Sequence, residues 1–273
     1  MKMVAAAKLR RAQSAVVSAR PYSRKLSQLI EHLAARTDLD ENPLMSTKDV
    51  RKVAIIVVTA DRGFCGAFNS NVIRATREHI GSIFDDTEAA SNNVALFTVG
   101  KKGHDFFSKR RYEIAGDYSG IFHSLDFSAA RQLTSEVVKG FVGGEYGRVD
   151  IIYNEFKNII QQRLVVEPLL PVPKEALSNR KKPSEINYIY EPDSKTILDA
   201  LMPRHLEFQI WRSLLESNAA GEGARMAAMD NASENASELI SSLSLEYNKA
   251  RQAAITKELL EVVSGAEALK AAG

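Results

Sequence analysis

Cysteine is almost missing from this 273-residue chain. Cys65 stands alone, which excludes an intrachain disulfide and fits a reducing compartment. No apolar run approaches the ~20 residues of a membrane-spanning helix. The apolar stretch at the start is short and broken by Lys2 and Lys8, which is not the pattern of a signal peptide. A net excess of charge is also missing: 36 Lys and Arg face 34 Asp and Glu, so the whole chain is no polyelectrolyte. Proline is absent from residues 204–270. No internal repeat is visible. The histidines have no metal-ligand spacing.

The proline-free stretch is rich in Ala, Leu, Glu, Lys and Arg, the residues that favour helix. Ile240, Leu243, Tyr247, Ala250 and Ala254 step by three and four. Ile255, Leu259, Val262 and Ala266 continue on a neighbouring stripe. A period near 3.5 predicts a helix that wraps a partner helix, and a helix of this length reaches roughly 95–100 Å. The other end of the chain supplies a partner. Ala5, Leu9, Ala12, Val16, Ala19, Ser23, Leu26, Ile30 and Leu33 form a strict heptad seam, with a kink or restart expected at Pro21. The termini are therefore expected to form a long antiparallel two-helix coiled coil. Two ordinary core helices of one globular domain are the alternative. Residues 1–36 hold eight Lys/Arg against the single acid Glu31. That imbalance suits an acidic protein or an anionic surface, and nucleic acid least, since no aromatics interleave the charges.

The middle of the chain reads as an α/β domain. Residues 53–59 (VAIIVVT) and 94–99 (VALFTV) suit buried parallel strands. Asn69 is expected to cap a helix running to about His79. A short helix with Phe106 and Phe107 follows the second strand, and residues 126–142 have helical period. Strands are expected at 150–156 and 163–170, with a short one at 188–190, and loops at 85–93 and 171–185. The alternation implies a mostly parallel, Rossmann-like sheet. The division expected is a shaft of residues 1–45 and 204–273 and an α/β foot of residues 50–190.

Little in the foot points to chemistry. The turn DRGFCG, residues 61–66, invites a phosphate-binding reading. It lacks both the Gly-x-x-x-x-Gly-Lys-Ser/Thr and the Gly-x-Gly-x-x-Gly pattern. Cys65 has no nominated base among His79, His104, His123 and His205, so a small buried thiol is expected. Asp61 with Arg62 reads as a turn pair. Trp211 is expected to anchor the long helix on the α/β domain. No catalytic residue, cofactor or metal is assigned.

Several strings together resemble the gamma subunit of F-type ATP synthases. They are MKMVAAAKLRRAQ (residues 1–13), TADRGFCGAFN (59–69), LMPRHLEFQIWRSLLES (201–217), ARMAAMDNASENASELI (224–240) and YNKARQAAITKELLEVVSGAEAL (247–269). The last is similar to the family's C-terminal signature, on which Ile255, Thr256, Glu258, Glu261, Gly265 and Ala266 fall. The resemblance implies a central-stalk rotor, non-catalytic in itself, within a proton-translocating ATP synthase. Implied partners are the alpha and beta subunits of the catalytic ring, the epsilon subunit and the c subunits of the membrane rotor ring. It implies no nucleic acid, no direct membrane insertion and, for a bacterial protein, a place on the cytoplasmic face of the plasma membrane. Implied contact residues are Met1, Lys8, Arg225, Arg251, Gln252, Thr256 and Glu258, with Arg251 and Gln252 matching the pair that engages a loop of a catalytic subunit.

Three departures from the family pattern shape the expectations. The chain begins some twenty residues into the family's first helix, which suggests a late-called start rather than a fragment; without that piece the upper C-terminal helix would lack its partner. Gly221 and Gly223 invite a flexible point, at up to ~1 kcal/mol of helix propensity each. The paired-cysteine insert of chloroplast relatives is missing, and so is a transit peptide. An α/β nucleotide-dependent enzyme with a coiled-coil dimerisation arm is the competing reading.

Overall fold

A computed structural model describes residues 1–34, 42–84, 92–158, 161–173 and 190–271. They fall into two compact units, Met1–Ala227 and Ala228–Gly273. Residues 85–91, most of the stretch 171–185 and the first two positions of the strand expected at 188–190 lie outside the described residues.

The first unit is built on a five-stranded sheet: β1 Val53–Val58, β2 Val94–Val99, β3 Glu113–Tyr118, β4 Arg148–Phe156 and β5 Gln162–Leu170. Its order is β3-β2-β1-β4-β5. The first four strands run parallel, with Val53 opposite both Val94 and Arg148. Strand β5 closes the sheet antiparallel to β4. Every residue of β1 and β2 is buried, because helices cover both faces of a parallel sheet. One face carries Ile55, Val57 and Leu96 against α2 (Phe68–Ile83) and α3 (Lys101–Phe107). The other carries Ile56, Val58 and Phe97 against α4 (Phe127–Val142), α1 (Lys2–Ala34) and the start of α5 (Ser194–Ala271). Strand β3 was not expected. Its sequence, EIAGDY, lies at the sheet edge with no buried residue, so it lacks the β-branched run that marks β1.

Helix α1 buries its heptad seam. Ala5, Leu9, Ala12, Val16, Leu26, Ile30 and Leu33 are all nearly inaccessible. Leu9, Ala12 and Val16 pack with Leu215 and Ala219 of α5. Further along, Tyr22 stacks on Phe208 at 4.2 Å between ring centroids, and Ile30 and Leu33 share a core with Leu198 and Met202. Rising numbers on α1 meet falling numbers on α5, so the pair is antiparallel. Each buried Leu, Ile or Val contributes about 1.5–3 kcal/mol, enough to carry α1 through Pro21. The helix is unbroken there, because proline removes one hydrogen bond while the seam stays packed on both sides.

Helix α5 starts ten residues before the proline-free stretch and includes Pro203. Asp193 caps it: the Thr196 amide and hydroxyl donate to its carboxylate at 2.9 and 2.7 Å. The hydrogen bonds from Thr196 hold that carboxyl below its ordinary range. Trp211 meets Phe127 edge-on at 5.8 Å, anchoring α5 on α4. Asn69 is not a cap. It lies inside α2, whose N-cap is Ala67, and its Oδ1 accepts the Ala60 amide at 2.8 Å.

Gly221 is no interruption of α5. A Cβ at this position would stand 3.4–3.8 Å from the Phe68 ring, ordinary van der Waals contact. Gly221→Ala is therefore expected to fit and to gain helix propensity, stabilising the chain by about 0.5–1 kcal/mol. A thermal unfolding midpoint that rises by ~2–4 °C would show it.

The second unit is helical through Ala271. All of residues 230–270 are exposed. That includes both apolar stripes of the sequence: Ile240 is 66 % accessible, Tyr247 69 % and Leu259 61 %.

Candidate partner-contact surface

The turn after β1 is held from three directions. Asp61 is nearly buried and accepts the backbone amides of Lys101 at 3.0 Å, Gly120 at 2.7 Å and Phe122 at 3.2 Å. One carboxylate thus gathers the loops that follow β1, β2 and β3 at the carboxyl ends of the strands. Cys65 sits beneath the turn, its sulfur 3.2 Å from Asn69 Nδ2. Burial pushes this thiol above its ordinary range, and Arg225 partly opposes the shift.

Arg225 supplies the third hold. From α5 it donates through Nε to the Gly63 carbonyl at 3.3 Å and through Nη2 to the Arg62 carbonyl at 3.4 Å. It also pairs with Glu222 one turn earlier. The guanidinium's fixed fork lets one side chain tie the turn to the helix in this way.

Between these elements lies an open cleft of about 420 Å³. Lys8 and Arg11 of α1, Arg62 and His123 of the loops and Arg225 of α5 line it, with Asp61 and Glu222 as its acids. Both acids are engaged, Asp61 by backbone amides and Glu222 by Arg225, so the cleft has a positive balance. Of the expected contact residues, it brings together Lys8 and Arg225. Met1 does not line it and is 86 % exposed at the head of α1.

The other four expected residues lie in the second unit. Arg251, Gln252, Thr256 and Glu258 are all exposed. The Thr256 hydroxyl donates to the Gln252 carbonyl at 2.8 Å, an ordinary i−4 helix contact. Lys257 pairs with Glu261 at 3.8 Å. Among the described residues no side chain pairs with Arg251 or Glu258, so both present their charges outward.

Two polar clusters escaped the sequence reading. Asp150 is fully buried on β4 between His79 Nε2 at 2.8 Å and Arg148 Nε at 2.9 Å. Glu167 on β5 receives Arg212 Nη2 at 3.0 and 3.1 Å, Gln209 Nε2 at 2.7 Å and the Tyr153 hydroxyl at 3.2 Å. Charged residues within otherwise apolar elements are the sequence signal for both, but His79 lies 71 positions from Asp150 and Gln209 lies 42 from Glu167.

The first unit is thus an α/β sheet that packs its own antiparallel helix pair, and the second is a helix exposed along residues 230–270. A family model described as ATP synthase matches residues 1–269. The ATP synthase gamma chain of Salinibacter ruber is 49% identical over 286 residues, covering 100% of this chain and 92% of that one. The gamma chain of Chlorobium phaeobacteroides strain DSM 266 is 49% identical over 271 residues, covering 99% and 92%. This chain belongs to the ATP synthase gamma-chain family. Solved structures share its fold. A chain from the central stalk and c-ring of the Tetrahymena thermophila mitochondrial ATP synthase aligns with a TM-score of 0.61 at 24% identity, covering 85% of this chain and 97% of that one. A chain of the Euglena gracilis mitochondrial ATP synthase, in a structure of its OSCP, F1 and c-ring, gives 0.60 at 18% identity, covering 99% and 95%.

Proposed function

We propose that this chain is the central-stalk rotor subunit of a proton-translocating F-type ATP synthase. It carries rotation from the membrane ring of c subunits to the ring of alpha and beta subunits, where its turning sets the nucleotide states of the catalytic sites. The observation that carries this reading is the match to gamma chains across essentially the whole chain. The chain performs no bond chemistry of its own. Residues 50–190 form the foot, which seats with the epsilon subunit on the c ring. Residues 1–45 and 204–273 form the shaft.

Moving a catalytic site from 1:99 to 99:1 between two states takes about 5.5 kcal/mol of differential contact. Arg251, Gln252, Thr256 and Glu258 supply part of that through charge-assisted hydrogen bonds to the ring. Met1, Lys8 and Arg225 are the further contacts with the ring. No described helix is long and apolar enough to cross a membrane, which is compatible with a peripheral place on the cytoplasmic face of a bacterial plasma membrane.

The test is a tagged chain expressed alongside its own ATP synthase genes. Recovery in a complex that hydrolyses ATP, containing alpha, beta and epsilon subunits, is the expected result. A chain recovered as a homodimer that binds nucleotide by itself would overturn the rotor reading in favour of a nucleotide-dependent enzyme with a dimerisation arm.

A further inference from the structure

A smaller cleft of the first unit, about 200 Å³, lies between α1 and α5. Val16, Ala19 and Ser23 form one wall and Phe208, Trp211 and Leu215 the other, while Arg20, Arg212 and Glu216 add charge. Glu216 is the odd member. Its Oε2 is inaccessible to solvent and has no hydrogen-bond partner among the described residues. Neither arginine lining the cleft, Arg20 or Arg212, hydrogen-bonds that oxygen. Arg212 gives Nη2 to both oxygens of Glu167. On β4, Glu155 takes Arg163 of β5 at 2.7 Å.

The groups that act on Glu216 come from every element packed there. Arg20 of α1 and Arg212 of its own helix favour its charged form, while Glu155 of β4 and Glu167 of β5 oppose it. Tyr153 of β4 joins through its bond to Glu167. Glu216 is therefore the carboxylate that lines the cleft, while Glu155 and Glu167, which do not line it, already hold arginines of their own.

We infer that Glu216 is a proton-binding site whose occupancy sets how tightly α1 packs on α5. With the proton bound, taken from solvent, the carboxyl is neutral and carries a donor of its own. The cleft between the helices can then close on an uncharged group. When the proton leaves, a third negative charge stands beside Glu155 and Glu167. Its oxygens then demand water or a cation in a space walled by Val16, Phe208 and Leu215. The inference concerns the first unit alone and does not rest on the rotor reading.

The direction of the pH response follows. Burial pushes the Glu216 carboxyl above the ordinary glutamate range; Arg212 opposes this, and Glu155 and Glu167 reinforce it. A carboxyl bound more tightly to its proton in the folded state adds stability at low pH, and loses it as pH rises through the folded value. His205, whose imidazole burial pushes down, acts in the opposite sense. It is present in both proteins compared below, so it cancels in the difference.

Thermal unfolding of the full chain and of its Glu216→Gln variant between pH 5 and 8.5 tests the site. The amide mimics the protonated carboxyl. The variant is expected to melt ~2–4 °C above the parent at pH 8.5, with the gap closing toward pH 5. A pH-independent gap, or a variant that is less stable or fails to fold at pH 8.5, overturns the inference. Hydrogen exchange of α1 in the unaltered chain gives a second reading. Its protection, corrected for intrinsic exchange, should fall severalfold from pH 5 to 8.5, and constant protection would equally overturn the inference.

Discussion

Gly100→Ala is expected to cost about 4 kcal/mol or more of stability. Gly100 follows β2 with φ 89° and ψ 140°, a backbone region that residues with a Cβ rarely enter. A Cβ built there would lie 2.2 Å from the Thr59 carbonyl oxygen and 2.8 Å from its carbon. Those are backbone atoms, and Thr59 is fixed: its amide donates to the Val99 carbonyl at 2.8 Å, and its hydroxyl accepts the Gly103 amide at 2.8 Å. Neither strand can retreat without breaking the pairing of β1 with β2. The unfolding midpoint should fall by ~10 °C. The turn at residues 61–66 should loosen with it, since Lys101, one of the three amides on Asp61, is the next residue. A midpoint within a degree of the parent would show that Gly100 is replaceable.

Alanine at both Arg251 and Gln252 is expected to lower ATP turnover by the assembled complex about tenfold, or to uncouple it from proton movement, with little change in the chain's own stability. Both residues are exposed helix positions, and exposed substitutions of this kind usually stay within ±0.5 kcal/mol. A tenfold loss corresponds to ~1.4 kcal/mol of transition-state stabilisation, a modest share for two charge-assisted contacts. The informative comparison is turnover against unfolding midpoint. Unchanged turnover and coupling would remove these residues from the contact set and favour a passive scaffold.

Sequence legibility followed periodicity. Most of the α1 seam from Ala5 to Leu33 could be read from spacing, because one apolar stripe at helical period marks the buried face whatever it packs on. Strands β1 and β2 could be read because burial on both faces demands unbroken apolar runs. Edge strand β3 could not, since an exposed strand needs no such run. Asn69 looked like a cap from its place before a helix, yet its amide bonds Ala60 from within α2. Gly221 looked like a weak point, yet it faces the Phe68 ring. The site was legible only in part. Arg225 was singled out by resemblance, while its grip on the Arg62 and Gly63 carbonyls depends on a fold that brings residues 162 positions apart together. The carboxylates that act on Glu216 come from two strands and leave no local pattern. For Arg251, Gln252, Thr256 and Glu258, a polar helix face is all that spacing offers.

Cys65 has a practical consequence. It is 2 % accessible, and its thiol is pushed toward the protonated, unreactive form. A dye or bead linker aimed at a new cysteine on the exposed face of residues 230–270 would therefore meet no competing sulfur. The native background is chemically quiet, and angular motion of that helix can be watched without first redesigning the protein.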